Sequence, residues 1–273
     1  ASGYAPIEVK RTIDKPVEEI VEKLAEIAKP ISSIEDIRHI ATISANNDKE
    51  IGDLIAKAVE SVGKDGSITV EQARSLKTSL DLVEGFRMDS GYASSSFITD
   101  ERRGAVVYED PLILVADAKL DKVDDILPVL EIVARESRPL VIIASEIEGQ
   151  ALAALIMNSV RGTMKVAAVK AAKYGEERRN ILKDLCLATG ASYVTSSSGL
   201  KLKDVKLEDL GLAKKIDIIK SVTTIVGGKG DYSEVDKKIE SLKIEAAQTE
   251  SVQEAERIQE RITRLASGVA VIR

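Results

Sequence analysis

Apolar residues change their spacing twice along this chain, and each change marks a different kind of element. From Ile7 through Val9, Ile13, Val17, Ile20, Val21 and Leu24 to Ile27 they fall mostly three or four apart, with Glu and Lys between, which predicts a helix over about 8–28. Ser33 followed by Asp36 matches a capping box and opens a short helix to about Ala41. Asn46 or Asn47 then caps a helix carrying Ile51, Ile55, Val59 and Val62, which stops at the Gly63–Gly66 turn. Ser67–Val70 reads as a short strand.

Beyond Gly85 the helical period gives way to continuous apolar runs at Leu112–Val115, Leu140–Ile143, Val166–Val169 and Ala191–Val194. Runs of that kind suit strands covered on both faces. Helical patterns at about 121–136, 148–161 and 176–189 separate them, so the order is that of an α/β domain with a largely parallel centre. Hairpin-like strands flank it at 104–108 and 214–226. The period then returns to helical. Val235, Ile239 and Leu242 line one helix, and Ser251 with Glu254 caps a second whose apolar face is Ala255, Ile258, Ile262 and Leu265. Gly85 and Gly268 stand at the two crossings as candidate hinges, which implies an α/β domain inserted into a mainly helical one.

Composition narrows the function. The chain has 45 acidic and 39 basic residues, a formal charge of −6, which disfavours a nucleic-acid binder working through bulk charge. Its one cysteine, Cys186, can form no internal disulfide and fits a reducing, cytoplasmic setting. No apolar run approaches the ~20 residues of a membrane span. The start at Ala1 inside a helical pattern and the strand-like end at 268–273 suggest a piece of a longer protein.

Catalytic and metal motifs are scarce. The one histidine, His39, lies in a helical pattern, and with Cys186 it cannot make a metal cluster. Cys186 sits between Leu185 and Leu187 and reads as a small core residue. Gly227–Gly230 is a phosphate-loop candidate after a strand and before a helix, but it lacks the Lys-Ser/Thr ending and reads better as a turn. Lys165, Lys170, Lys173, Arg178, Arg179 and Lys183, with Tyr174, form a basic cluster interrupted by Glu176, Glu177 and Asp184, as on a solvated face.

Two short helices carry more apolar residues than a sheet-packed stripe needs. On the first, Val123, Ile126, Leu127, Val129, Leu130, Val133 and Ala134 span roughly 160°, with Ile132 outside the arc, against a need of about 100°. On the second, Leu152, Leu155, Ile156, Met157 and Val160 span roughly 200°. Either the surplus is buried under a neighbour, or it lines an apolar groove for a segment of another protein. Tyr92 and Phe97, in the loop carrying Ser90 to Ser96, are candidates for the same patch.

At these residues the chain resembles the group I (GroEL-type) chaperonins, along essentially its whole length. The matching stretches are Lys10-Arg11 with Ile13-Asp14, Ala41 to Asn46, Val62 to Gly66, Val83 to Gly85 and Ile126 to Glu131. They continue at Glu148-Gly149, Ala151 to Ala153, Arg161-Gly162, Lys165 to Lys170, Leu207 to Gly211, Gln259 to Arg261 and Gly268 to Ile272. The resemblance implies that 84–269 is an apical domain and 27–83 the first half of an intermediate domain. It makes 1–26 the end of an equatorial helix and 270–273 the return into the intermediate domain. It also implies binding of non-native polypeptide and of a GroES-type cochaperonin at Tyr92, Phe97, Leu127, Leu130, Leu152, Ile156 and Met157, with Asn158 alongside.

The family's ATP site uses an equatorial Gly-Asp-Gly-Thr-Thr loop that this sequence does not contain; only Ile43 and Ser44 match positions near the nucleotide. ATP and Mg, hydrolysis and heptameric ring assembly are therefore expected of the full-length parent, and the piece itself is expected to be monomeric or only weakly associated. Three departures stand out. Ser95 and Ser96 replace a proline and an aromatic, Ser90 replaces an arginine, and Ala172 to Gly175 replaces Pro-Gly-Phe-Gly. A nucleotide-dependent α/β enzyme using Gly227–Gly230, and a purely structural scaffold, are the rival readings.

Overall fold

The computed structural model describes residues 53, 56, 67–70, 80–197, 199–266 and 268–272. The chain divides into two compact units, Glu84–Ala266 and the remainder, Ala1–Val83 with Ser267–Arg273. In the remainder, β1 (Ser67–Val70) pairs in parallel with the last strand, β11 (Gly268–Ile272), Ser67 facing Val269. The backbone is helical at Asp53 and Ala56, inside the helix expected after Asn47. The helices expected at 8–28 and 33–41, the Gly63–Gly66 turn, His39, Ile43 and Ser44 lie outside the described residues.

The unit Glu84–Ala266 is built on two sheets. Strands β2 (Leu80–Met88), β3 (Val106–Glu109), β9 (Lys215–Ile218) and β10 (Thr223–Val226) run antiparallel in the order β2-β10-β9-β3. Their alternation places Val106, Tyr108, Ile216, Ile218 and Ile225 inside. Strands β4 (Leu112–Leu120), β5 (Leu140–Ile147), β6 (Val166–Lys170) and β7 (Val194–Thr195) are parallel, in the order β6-β5-β4-β7. The two-residue β8 (Gly211–Leu212) adds antiparallel to β4. Leu112 to Ala116 and Leu140 to Ala144 are buried without a break, as the unbroken apolar runs require. The strand expected at 191–194 shrinks to Val194–Thr195, because the Ala191 amide donates to Thr189 Oγ1 and that of Ser192 to the Asp209 carbonyl instead of to a strand.

Connections between parallel strands are right-handed. Stepping from β4 to β5 to β6 therefore puts α1 (Val123–Ala134) and α2 (Gly149–Arg161) on one face of the parallel sheet. The return to β7 puts α3 (Gly175–Thr189) on the other. The hairpin of α4 (Tyr232–Gln248) and α5 (Val252–Leu265) then packs on α3. Val235, Leu242, Ile258, Ile262 and Leu265 are buried as their spacing predicts, and Ser251 Oγ accepts from the Glu254 amide at 3.3 Å.

Two of the sheet edges, β6 and β3, are bonded locally. On β6, the Val166 carbonyl accepts from Tyr108 Oη at 3.4 Å, that of Ala168 from the Ala93 amide at 2.8 Å, and that of Lys170 from Ser90 Oγ. On β3, the Val107 amide donates to Thr99 Oγ1 at 2.9 Å. The Ser-rich segment thus occupies edges that would otherwise recruit foreign strands.

Asp184 of α3 is 2% exposed, and Arg261 of α5 grips it through two parallel bonds, Nε to Oδ2 and Nη2 to Oδ1, both 2.9 Å. Each carboxylate oxygen has its donor, so the pair tolerates burial only while complete. Removing one partner, as in Arg261→Met, is expected to cost about 3–5 kcal/mol in denaturant unfolding, whereas replacing both by apolar residues of similar volume is expected to be far milder. On the same helix, burial pushes the Cys186 thiol up to about 12. Its alkylation in the folded protein should therefore stay slow and nearly flat from pH 7 to pH 9, and rise steeply once the protein is unfolded in urea.

Candidate functional site

α1 begins where the Asp125 carboxylate accepts from the amides of Asp121 and Lys122, at 3.2 and 3.0 Å. Asp124 and Asp125 also meet the positive end of the helix dipole. Pro128 sits inside α1 and removes one backbone donor. Gly149 starts α2 at φ +59°, with Asp121 O only 3.1 Å from where a Cβ would stand, so the turn before α2 is pressed against the loop before α1. The Ala151 amide donates to the same carbonyl. The two helices are thereby tied at their N-terminal ends and lie packed side by side.

The inward faces are Ile126, Val129, Leu130 and Val133 on α1 and Ala151 and Leu155 on α2. Outward, Val123 is exposed, Leu127 is 42%, Met157 51% and Val160 68% exposed, and Leu152 and Ile156 are half-buried between these layers. Part of the surplus read in the sequence is therefore packing, including the half-buried Ile132, and part is open apolar surface. Asn158 stands beside it, its amide donating to the Ala154 carbonyl at 2.8 Å while its Oδ1 accepts from Thr163.

Two expected contributors do not reach that surface. Phe97 is 0% exposed: Ser94 Oγ caps a 3-10 turn over Ser95–Phe97, which leaves Ser95 and Ser96 outside and turns the ring into the core. Leu130 is 8% exposed and belongs to the inward stripe of α1. Tyr92 is half-buried, its backbone bridged to Val169 of β6. Val123 and Val160 add to that surface beyond the residues the resemblance implies. Their signal was the four-residue step to Leu127 and from Ile156.

The Gly227–Gly230 loop is engaged with its neighbours. In the Gly227–Gly230 loop, the Lys229 amide donates to Leu212 O and that of Gly230 to Ala188 O, so neither is left for an anion. A Cβ at Gly228 would lie 2.3 Å from Ala188 O, and one at Gly230 2.0 Å from Leu187 O; these glycines let the loop pass the end of α3. Ligands of open parallel sheets bind where strand order reverses, here between β4 and β7. Beside that position stands Asp117, whose two oxygens accept from Ser145 Oγ and Tyr193 Oη. Desolvation, then the bond to Asp117, raises the Tyr193 hydroxyl above its ordinary value, so the contact persists as a neutral donor. The basic cluster is a decorated surface: Arg178 stacks on exposed Tyr174 at 4.9 Å, Lys170 pairs with Glu146, and Lys183 lies over Tyr193. Among the described residues there is no cluster of three or more His, Cys, Asp or Glu side chains able to hold a metal, and no helix long and apolar enough to cross a membrane.

This α/β unit presents apolar side chains on two adjoining helices. A model of the TCP-1/cpn60 chaperonin family matches residues 1–261. The chain belongs to that family, and its role is that of a chaperone in protein folding. Members bind substrate polypeptides and assemble into rings.

The burial pattern separates two kinds of apolar residue. Phe97→Ala is expected to lower unfolding free energy by about 3–5 kcal/mol, whereas Leu127→Ala stays within about 1 kcal/mol, as read by thermal or urea denaturation.

Proposed function

We propose that Glu84–Ala266 is the apical, substrate-capture unit of a group I chaperonin, and that the α1–α2 surface holds non-native polypeptides and, in competition, a GroES-type cochaperonin. The observation that carries this reading is that Val123 and Leu127 of α1 and Met157 and Val160 of α2 are exposed on two helices packed against each other, with Leu152 and Ile156 half-buried. Tyr92 and Asn158 flank the surface in this reading, while Phe97 and Leu130 support it from within.

Selectivity follows from what folding hides. A native protein buries its apolar segments, so an apolar surface discriminates by exposure alone. Burying roughly 400 Å² of apolar area contributes about 10 kcal/mol gross at about 25 cal/mol/Å², most of it offset by the costs of association and ordering. Met157 adds a flexible, polarisable side chain suited to varied partners. In the full-length, cytoplasmic parent, ATP and Mg bound outside this unit would drive release by rotation near Gly85 and Gly268, within heptameric rings. The unit boundaries at 83/84 and 266/267 fall beside those glycines. Gly85 lies within β2, opposite Val226, so rotation there would have to be shared with its neighbours.

The test is binding to a chemically unfolded protein, compared with the same protein in its native form, by the parent chain and by Leu127→Glu with Met157→Glu. Binding of the unfolded form alone, lost at least tenfold in a double variant that keeps its melting temperature, is the expected result. Equal binding by the variant would move the capture site elsewhere.

A further inference from the structure

Beyond the α1–α2 surface, on the opposite face of the parallel sheet, α3 and the α4–α5 hairpin enclose a cleft of about 410 Å³. That volume lies in the range of small-molecule sites, about 300–1,000 Å³. Arg257, Arg261 and Arg264 sit one turn apart along one face of α5 and all line it. The first pairs with Glu177 at 3.4 Å and the second with Asp184. Arg264 has no such partner among the described residues, and its Nε is buried without a hydrogen bond. Burial holds its guanidinium below the ordinary value for arginine, against the opposing pull of the Asp184, Glu260 and Asp89 carboxylates. Buried polar groups left alone in this way are rare in native proteins.

The rim of the cleft decides what can complete Arg264. Glu176, Glu245, Glu254 and Glu260 also line it, with Lys173 the one further cation, and the glutamates disfavour a bare polyanion. We propose that the cleft binds a small zwitterion of the amino-acid class, its carboxylate on Arg264 and its cationic end among the rim glutamates. This is independent of the capture surface, since none of the cleft residues lies on α1 or α2.

The experiment is calorimetric titration of the chain with free L-arginine, with agmatine (which keeps the guanidinium and lacks the carboxylate) and with succinate (which has carboxylates and no cation). L-arginine is expected to bind about tenfold or more tightly than either, as one charge-assisted pairing at each end implies. Arg264→Met is expected to lose that tenfold, and in the absence of ligand to melt no lower than the parent, because it removes an unpaired buried charge. Agmatine binding as tightly as arginine would make the cleft a simple cation site and overturn the proposal, and succinate doing so would make it a simple anion site. Absence of arginine binding at millimolar concentration would overturn it directly. A ligand-free Arg264→Met that melts well below the parent would show that the guanidinium already has its partner within the protein.

Discussion

A parallel sheet has to be covered on both faces and stopped at both edges, and most of this unit follows from that requirement. Strands β4, β5 and β6 are apolar on both sides because helices lie on both sides. α3 covers one face and is itself covered by the α4–α5 hairpin, with the Asp184–Arg261 fork buried between them. α1 and α2 cover the other face and present apolar side chains on their outer side. An apolar helix surface that no described element of this unit covers costs solubility, and on soluble proteins large patches of that kind mark interaction sites.

The periodic parts of this arrangement were legible in the sequence. Unbroken apolar runs gave β4, β5 and β6, and four-residue steps gave α1, α2 and the hairpin, with Ser251 marking the start of α5. The site was legible as a surplus, since two helices carried more apolar residues than one buried stripe requires. Its membership was not. Phe97 and Ser96 are neighbours in the same short turn, and nothing in their spacing tells which one points inward; the cap supplied by Ser94 does. Leu130 looks equivalent to Leu127 on a helical wheel, yet the packing of α1 on the sheet buries one and exposes the other.

The glycine loop shows the opposite failure. Gly227–Gly230 has the composition of an anion cradle, but the close passage of the loop over Leu187 O and Ala188 O accounts for Gly228 and Gly230. The sequence pattern records that glycine is needed without recording whether a ligand or another stretch of backbone comes close. Likewise Asp117, Tyr193 and Ser145 form a hydrogen-bonded group beside the β4–β7 strand-order reversal, and none of them is conspicuous in the sequence.

The parallel pairing of β1 with β11 has a consequence for how the chain is made. The whole of Glu84–Ala266 separates the two strands, so β1 is synthesised long before its partner exists. Closing so long a loop in an unfolded chain is entropically costly, and it becomes cheap once the intervening unit has folded and brought its ends together. The inserted unit should therefore fold first and act as the template for the unit that surrounds it. Until then β1 lacks this partner, and the protein in its own biogenesis belongs to the class of non-native chains that its relatives bind.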